Sequence, residues 1–95
     1  MMELNEHELN EEKDLLNALE QRNIRAFMRL YKNYNEDLLI YAYGLLNDRR
    51  LAIKAVDEFF EDLWIGNQFK EMHPPIYKYL IEQLRGVCQI KYLIR

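Results

Sequence analysis

The sequence predicts an all-α fold, a bundle of four helices in one domain, from three observations. Apolar residues recur at steps of three and four in several stretches, which is the spacing of one helix face. The 95 residues include only three Gly and two Pro, so few positions favour turns or interrupt helices. A hydrophobic share of 49% supports a packed core, and the chain length allows one core of modest size.

The first predicted helix is short and amphipathic. Asn5 and Glu8 have the spacing of a capping box, but apolar side chains are scarce before Leu15. We therefore expect residues 1–13 to be an acidic, poorly ordered N-terminus and residues 14–95 to form the helical domain. The apolar face of this first helix is Leu15, Leu16, Ala18 and Leu19.

Two longer helices are expected to form an antiparallel pair, joined by a tight turn near Asn47 and Asp48. Asn23 is a plausible N-cap for the second helix, and Asp48 for the third. Gly66 is expected to close the third helix. The stripe of the second helix is Phe27, Leu30, Tyr31, Tyr34, Leu38, Tyr41, Ala42 and Leu45. The stripe of the third is Ala52, Val56, Phe59, Phe60 and Leu63.

A loop over residues 66–75 precedes the last helix, which is expected to have Pro75 at its first position and to run towards Arg95. The predicted buried face of this helix is Tyr77, Leu80, Ile81, Leu84, Val87 and Cys88. The predicted solvent face is Lys78, Glu82, Arg85 and Gln89. The last helix should then close over the second and third helices.

The charges of residues 48–64 oppose the dipole of their own helix. Arg49 and Arg50 lie at its positive N-terminal end, and Glu61 and Asp62 at its negative C-terminal end. Acidic pairs four residues apart add repulsion of roughly 0.2–0.5 kcal/mol each. Repeated local conflicts on one surface indicate either a partner surface or an acidic face in water.

The sequence lacks the usual signs of catalysis, so we expect no enzyme activity, cofactor or metal. His7 and His73 are the only histidines, and no glycine-rich phosphate loop or metal-ligand spacing is present. Cys88 is the single cysteine and is expected to be buried. With no apolar run long enough to span a membrane and no start typical of a signal peptide, we expect a cytoplasmic protein without membrane contact.

Charge is distributed unevenly along the chain. Residues 1–22 hold seven carboxylates and two cations, whereas residues 66–95 hold five cations and two carboxylates. The basic segment also contains Phe69, Tyr77, Tyr79 and Tyr92. In proteins that bind single-stranded nucleic acids, cations contact the phosphates and aromatic rings stack on unpaired bases. Cations on a helix can equally form a face that contacts only water.

Five motifs stand out along the chain, in residues 26–34, 41–48, 52–64, 73–80 and 92–95. Their order and spacing resemble those of region 2 in bacterial RNA polymerase sigma factors of the extracytoplasmic-function group. The resemblance covers residues 14–95. It implies a helical domain that docks on the β′ coiled coil of core RNA polymerase. It also implies that the domain recognises and helps to melt the promoter −10 element, and it allows an anti-sigma factor as a further partner.

The resemblance also assigns residues to these two roles. The polymerase-binding residues it implies are Asp57, Glu58, Glu61 and Asp62. The DNA-binding residues it implies are Asn67, Gln68, Phe69 and Lys70, which would capture a flipped-out base, and Lys78, Arg85, Lys91 and Arg95, which would contact phosphates. The sequence leaves open whether a second domain that reads the −35 element follows.

This sequence differs from the family pattern on two helices. On the third helix, residues 53–54 are Ile-Lys where the family commonly has Glu-Asp, and Asp57 stands where Gln is usual. On the last helix, residues 86–87 are Gly-Val where the family frequently has Arg-Asn, and Lys91 follows four residues later in place of Asp or Asn. Two alternatives therefore remain. One is a sigma-like protein-interaction regulator that does not read promoters. The other is a helical bundle that pairs with itself through apolar residues such as Ile90, Leu93 and Ile94.

Overall fold

The computed structural model describes residues 3–93, and all regular structure in this range is helical. Four α-helices follow one another along the chain: α1 (Glu6–Glu20), α2 (Ile24–Leu46), α3 (Arg49–Gly66) and α4 (Ile76–Cys88). A short 3₁₀ helix, Gln68–Glu71, lies between α3 and α4, and a π-helical turn, Gln89–Leu93, continues α4. The predicted all-α fold with four helices is confirmed for these residues.

Helix α1 begins earlier than the expected domain boundary at residue 14. The predicted capping box is present, because Asn5 Oδ1 accepts the N–H of Glu8 at 2.8 Å and Glu8 Oε1 accepts the N–H of Asn5 at 3.1 Å. Residues 6–13, for which we expected little order, therefore belong to the same helix as Leu15 and Leu16. Part of the first expected segment, residues 1 and 2, lies outside the described residues.

Helices α2 and α3 form the predicted antiparallel pair. The caps at Asn23 and Asp48 are confirmed, since each side chain accepts backbone N–H groups of the following turn. Asn47 ends α2 in the left-handed conformation at φ 53°. The expected closure of α3 at Gly66 is wrong by one residue. Gly66 is still helical, and Asn67 has the left-handed φ of 49°, a conformation that Asn tolerates better than most residues.

The core lies where α2 packs against both α3 and α4. All five residues predicted for the α3 stripe are buried, which confirms that helix face. Leu30, Leu38 and Ala42 of α2 are fully buried beside them. Leu15, Leu16 and Leu19 of α1 complete the same cluster, so α1 belongs to the domain core.

The buried face of α4 differs in part from the prediction. The fully or nearly fully buried residues are Ile76, Tyr79, Leu80, Leu84 and Cys88. Four of these are spaced by four residues from Ile76 to Cys88, whereas the predicted Tyr77, Ile81 and Val87 are only half-buried. Pro75 was expected to be the first residue of α4, but it is the N-cap, and the helix begins one residue later at Ile76. Gly86 remains helical.

Candidate docking and nucleic-acid surfaces

The C-terminal half of α3 presents three exposed carboxylates, those of Asp57, Glu61 and Asp62. The buried stripe of α3 faces α2 and α4, and Asp57 and Glu61 project from the opposite side of the helix. Asp62 lies at the edge of the stripe, two turns after the buried Ala55. Within residues 3–93, the single contact of a basic with an acidic side chain at salt-bridge distance joins His7 and Glu11 at 3.1 Å, so no cation lies that close to any of the three carboxylates. The three carboxylates therefore form an exposed acidic surface.

Glu58, the fourth residue assigned to polymerase docking, has a different environment. It is half-buried, and its Oε1 accepts a hydrogen bond from the hydroxyl of Tyr92. Burial, followed by this hydrogen bond and the nearby negative charge of Glu58, raises the pKa of Tyr92 to about 12. The hydrogen bond from Tyr92 to Glu58 therefore connects the turn after α4 to α3. Of the four residues predicted to bind polymerase, Asp57, Glu61 and Asp62 are the exposed ones.

The N-terminal half of the same α3 face is basic. Arg50 and Lys54 are exposed, and Ile53 beside them is 45% exposed. Arg50, Lys54, Asp57 and Glu61 follow one another at steps of four, three and four, so they form a single line along the helix. We call these four residues the α3 crest. Its ordered change of sign was visible in the sequence, but which face of α3 lies in solvent required the tertiary structure.

The loop before α4 does not present Phe69 to solvent. Phe69 is 1% exposed, with its ring centroid 6.2 Å from that of Phe27 and 6.3 Å from that of Trp64. In this structure Phe69 therefore offers no exposed face on which a flipped-out base could stack. The 3₁₀ helix turns the ring inwards, and burying an aromatic ring is more favourable than leaving it in water.

The neighbours of Phe69 differ in their availability. Gln68 and Lys70 are exposed, as a nucleic-acid contact requires. Asn67 is half-buried and terminates α3, and its Oδ1 accepts no hydrogen bond from residues 3–93. The loop therefore keeps two of its four predicted contact residues on the surface.

The predicted phosphate-binding cations are exposed where the structure describes them. Lys78 and Arg85 are seven residues apart on α4 and share one face, with Glu82 between them. Lys91 is also exposed but lies in the π-helical turn, so it does not continue that face. Arg95 lies outside the described residues. Tyr79, expected among the aromatic contacts, is buried, and Tyr77 is half-buried with its ring stacked on Tyr34 at 6.2 Å.

Arg22 contacts Trp64, which lies 42 residues later, so no local sequence pattern predicts this contact. Its guanidinium lies 4.0 Å from the centre of the Trp64 ring and donates a hydrogen bond to the Trp64 carbonyl oxygen. This carbonyl is among the last of α3 and also accepts the N–H of Asn67 at 3.4 Å, so the guanidinium is a second donor to it. The contact of Arg22 with Trp64 thus joins the turn after α1 to the C-terminal end of α3.

The described residues form neither a metal-binding cluster nor a membrane-spanning helix. No three His, Cys, Asp or Glu side chains within residues 3–93 come together in a way that would ligate a metal ion. Cys88 is buried as predicted, and burial raises the pKa of its thiol. None of the helices in this range is both long and apolar enough to span a bilayer.

No protein-family model, curated protein or solved structure matches the chain.

Proposed function

We propose that this chain is a non-catalytic docking module of the sigma region 2 type, which binds core RNA polymerase and contacts promoter DNA at the −10 element. The observation that carries the proposal is the exposed group of Asp57, Glu61 and Asp62 on α3. The sequence resemblance supports the same helix as the one that faces the β′ coiled coil. In this proposal the three carboxylates bind a basic surface of the polymerase.

DNA contact in this proposal depends on α4 and the loop before it. Lys78 and Arg85 are exposed on one face, and Lys70 and Gln68 are exposed in the loop. Cations in this arrangement bind phosphates with little dependence on sequence. Because Phe69 and Tyr79 are buried, base capture would have to rely on polar contacts from Gln68 and Lys70 in place of aromatic stacking.

The first test is fluorescence anisotropy of the labelled domain with purified core polymerase. Glu61→Lys with Asp62→Lys should weaken binding at least about tenfold, because like charges would meet across the interface. The matched control is Glu36→Lys with Asp37→Lys, an adjacent exposed Glu-Asp pair on α2, which should bind as the wild type does. Equal weakening by both double variants, or by neither, would contradict docking through α3.

The second test adds a labelled single-stranded −10-type oligonucleotide to the polymerase complex at two salt concentrations. The proposal requires the complex to bind this oligonucleotide, more weakly at high salt and more weakly with Lys78→Glu and Arg85→Glu. Circular dichroism should show that the variants keep their helical content, since all six substituted positions of the two tests, those of the control included, are exposed.

A second candidate is a protein-interaction regulator that occupies polymerase without reading a promoter. The burial of Phe69 favours it, because the loop lacks the aromatic face expected of a base-capturing segment. Polymerase binding that brings in no oligonucleotide at either salt concentration would support the regulator and contradict promoter contact.

A further inference from the structure

We propose that two copies of this chain pair through their α3 helices in antiparallel orientation, with the α3 crest as the interface. The crest is basic at Arg50 and Lys54 and acidic at Asp57 and Glu61, and all four residues are exposed. A uniformly basic partner would be repelled by Arg50 and Lys54, the basic half of the crest. A partner that places acidic groups beside this half and basic groups beside the acidic half is attracted by both. A second α3 in antiparallel orientation has that arrangement.

One register satisfies both charge pairs at once. When Lys54 of one copy lies opposite Asp57 of the other, Arg50 lies opposite Glu61, because 54 and 57 have the same midpoint as 50 and 61. The two-fold symmetry repeats both pairs, so the interface contains four ion pairs. Parallel helices would instead place Lys54 opposite Lys54 and Asp57 opposite Asp57.

The same arrangement resolves the conflict between the α3 charges and the helix dipole. In a single copy, Arg49 and Arg50 lie at the partially positive end of α3, and Glu61 and Asp62 lie near the partially negative end. In the antiparallel pair, the arginines of each copy lie beside the negative end of the partner helix, and the carboxylates lie beside its positive end. Charges that are unfavourable in one helix become favourable in the pair.

Apolar surface beside the crest extends the interface on one side. Ile53 lines an open groove of about 480 Å³ together with Leu39, Ile40 and Tyr43. A two-fold axis perpendicular to the helices places both copies of Ile53 on the same side of the seam. They are then separated by five residues, about 7.5 Å along the helix axis, which allows the two side chains to approach each other. Ile40 is 64% exposed and Tyr43 51% exposed in the single chain.

Sedimentation of the chain alone tests this pairing at protein concentrations from ~10 µM to ~500 µM. The wild type should form dimers as its concentration rises in low salt, and 1 M NaCl should shift it to monomers because the screening length falls to about 3 Å. Lys54→Glu should lower the association constant about tenfold or more, since each dimer gains two like-charge contacts. The control is Lys13→Glu, which changes the net charge by the same amount at an exposed position of α1. This variant should dimerise like the wild type.

A charge exchange tests the register. Asp57→Lys alone should also weaken pairing, whereas Lys54→Glu combined with Asp57→Lys restores opposite charges across the seam and the wild-type net charge. The double variant should therefore dimerise again, as should an equimolar mixture of the two single variants. A wild type that stays monomeric throughout, a Lys54→Glu variant that dimerises normally, or a double variant that does not recover would each overturn the proposal.

A consequence for regulation rests on the proposed function. Pairing would cover Asp57 and Glu61, so core polymerase should convert the dimer into bound monomer. The sedimentation experiments contain no polymerase, and the anisotropy experiments use labelled domain too dilute to pair. Failure of self-association and failure of polymerase docking are therefore distinguishable.

Discussion

The side chain of Phe69 connects the loop before α4 to the aromatic group of Phe27 and Trp64. The closest of these contacts, between the rings of Phe27 and Trp64, has a centroid distance of 4.9 Å. Arg22 covers the outer face of this group through its position over Trp64. The loop is therefore held by packing, which restricts how far Gln68 and Lys70 can move to meet a ligand.

This environment predicts a large difference between neighbouring substitutions. Phe69→Ala should lower the free energy of unfolding by about 3–5 kcal/mol, because it leaves a cavity in the core. Lys70→Ala, at the exposed next position, should change it by less than about 0.5 kcal/mol. Urea unfolding followed by circular dichroism measures both values.

A milder variant covers the case in which Phe69→Ala does not fold. Phe69→Leu retains an apolar side chain of similar volume and should lose clearly less stability than the alanine variant. If both Phe69 variants were as stable as the wild type and instead lost oligonucleotide binding, the ring would belong to the surface after all.

At the scale of the helices, α1 stabilises the start of α4. Glu12 of α1 accepts the N–H of Ile76 through Oε1 at 2.8 Å, and its Oε2 lies 3.5 Å from the hydroxyl of Tyr34. Pro75, the N-cap of α4, has no side chain that caps the helix, so Glu12 supplies from another helix the acceptor that a local cap normally provides. A carboxylate at this end is also favourable for the dipole of α4.

Removing this acceptor should therefore be costly. Glu12→Ala should lower the free energy of unfolding by about 1–3 kcal/mol, because the N–H of Ile76 loses its partner in a partly buried place. Glu12→Gln keeps one acceptor oxygen and should lose less. The adjacent control Glu11→Ala removes only the exposed pair with His7 and should cost less than about 0.5 kcal/mol. Equal effects in urea unfolding for Glu11→Ala and Glu12→Ala would show that the contact does not stabilise α4.

At the scale of the whole molecule, two tyrosine hydroxyls connect the ends of the chain to its middle. Tyr34 of α2 faces Glu12 of α1, and Tyr92 after α4 donates to Glu58 of α3. Burial, with Glu12 as the next cause, raises the pKa of Tyr34 to about 12, and the pKa of Tyr92 is raised to the same value. In the folded state, the protonated, neutral form of both tyrosines is therefore favoured over the ionised form.

These raised pKa values predict a loss of stability in alkali. Unfolded tyrosines lose their protons near pH 10, whereas the folded protein holds them until about pH 12. The stabilisation is complete below pH 10 and declines as the pH rises towards 12, because the unfolded state releases protons first. Urea unfolding at pH 8 and at pH 11 should therefore show a lower free energy of unfolding at the higher pH.

Three conservative variants identify the source of this decline. Tyr34→Phe and Tyr92→Phe should each make the free energy of unfolding less dependent on pH above 10. Tyr43→Phe removes the hydroxyl of an exposed tyrosine and should retain the pH dependence of the wild type. If Tyr34→Phe and Tyr92→Phe behaved like Tyr43→Phe, the two hydroxyl contacts would not be the cause.

Local patterns of the sequence determined the helices and most of their ends. Apolar spacing identified α2, α3 and every buried residue of α3 except Ala55. The caps at Asn5, Asn23 and Asp48 depend only on side chains within three residues of the N–H groups they accept. Such features can be read from the chain because all the atoms involved are close in sequence. The order of charges along the α3 crest is also a property of the sequence.

Contacts between distant residues were decided only by the tertiary structure. The burial of Phe69 depends on Phe27, 42 residues earlier, and the cap of α4 comes from Glu12, 64 residues before Ile76. The same holds for Glu58, which looks like a surface carboxylate until Tyr92 is placed beside it. The sequence shows which residues can be buried or bonded, but the packing of α1, α3 and α4 around α2 selects which of them are, because burial depends on neighbours brought close only by the fold.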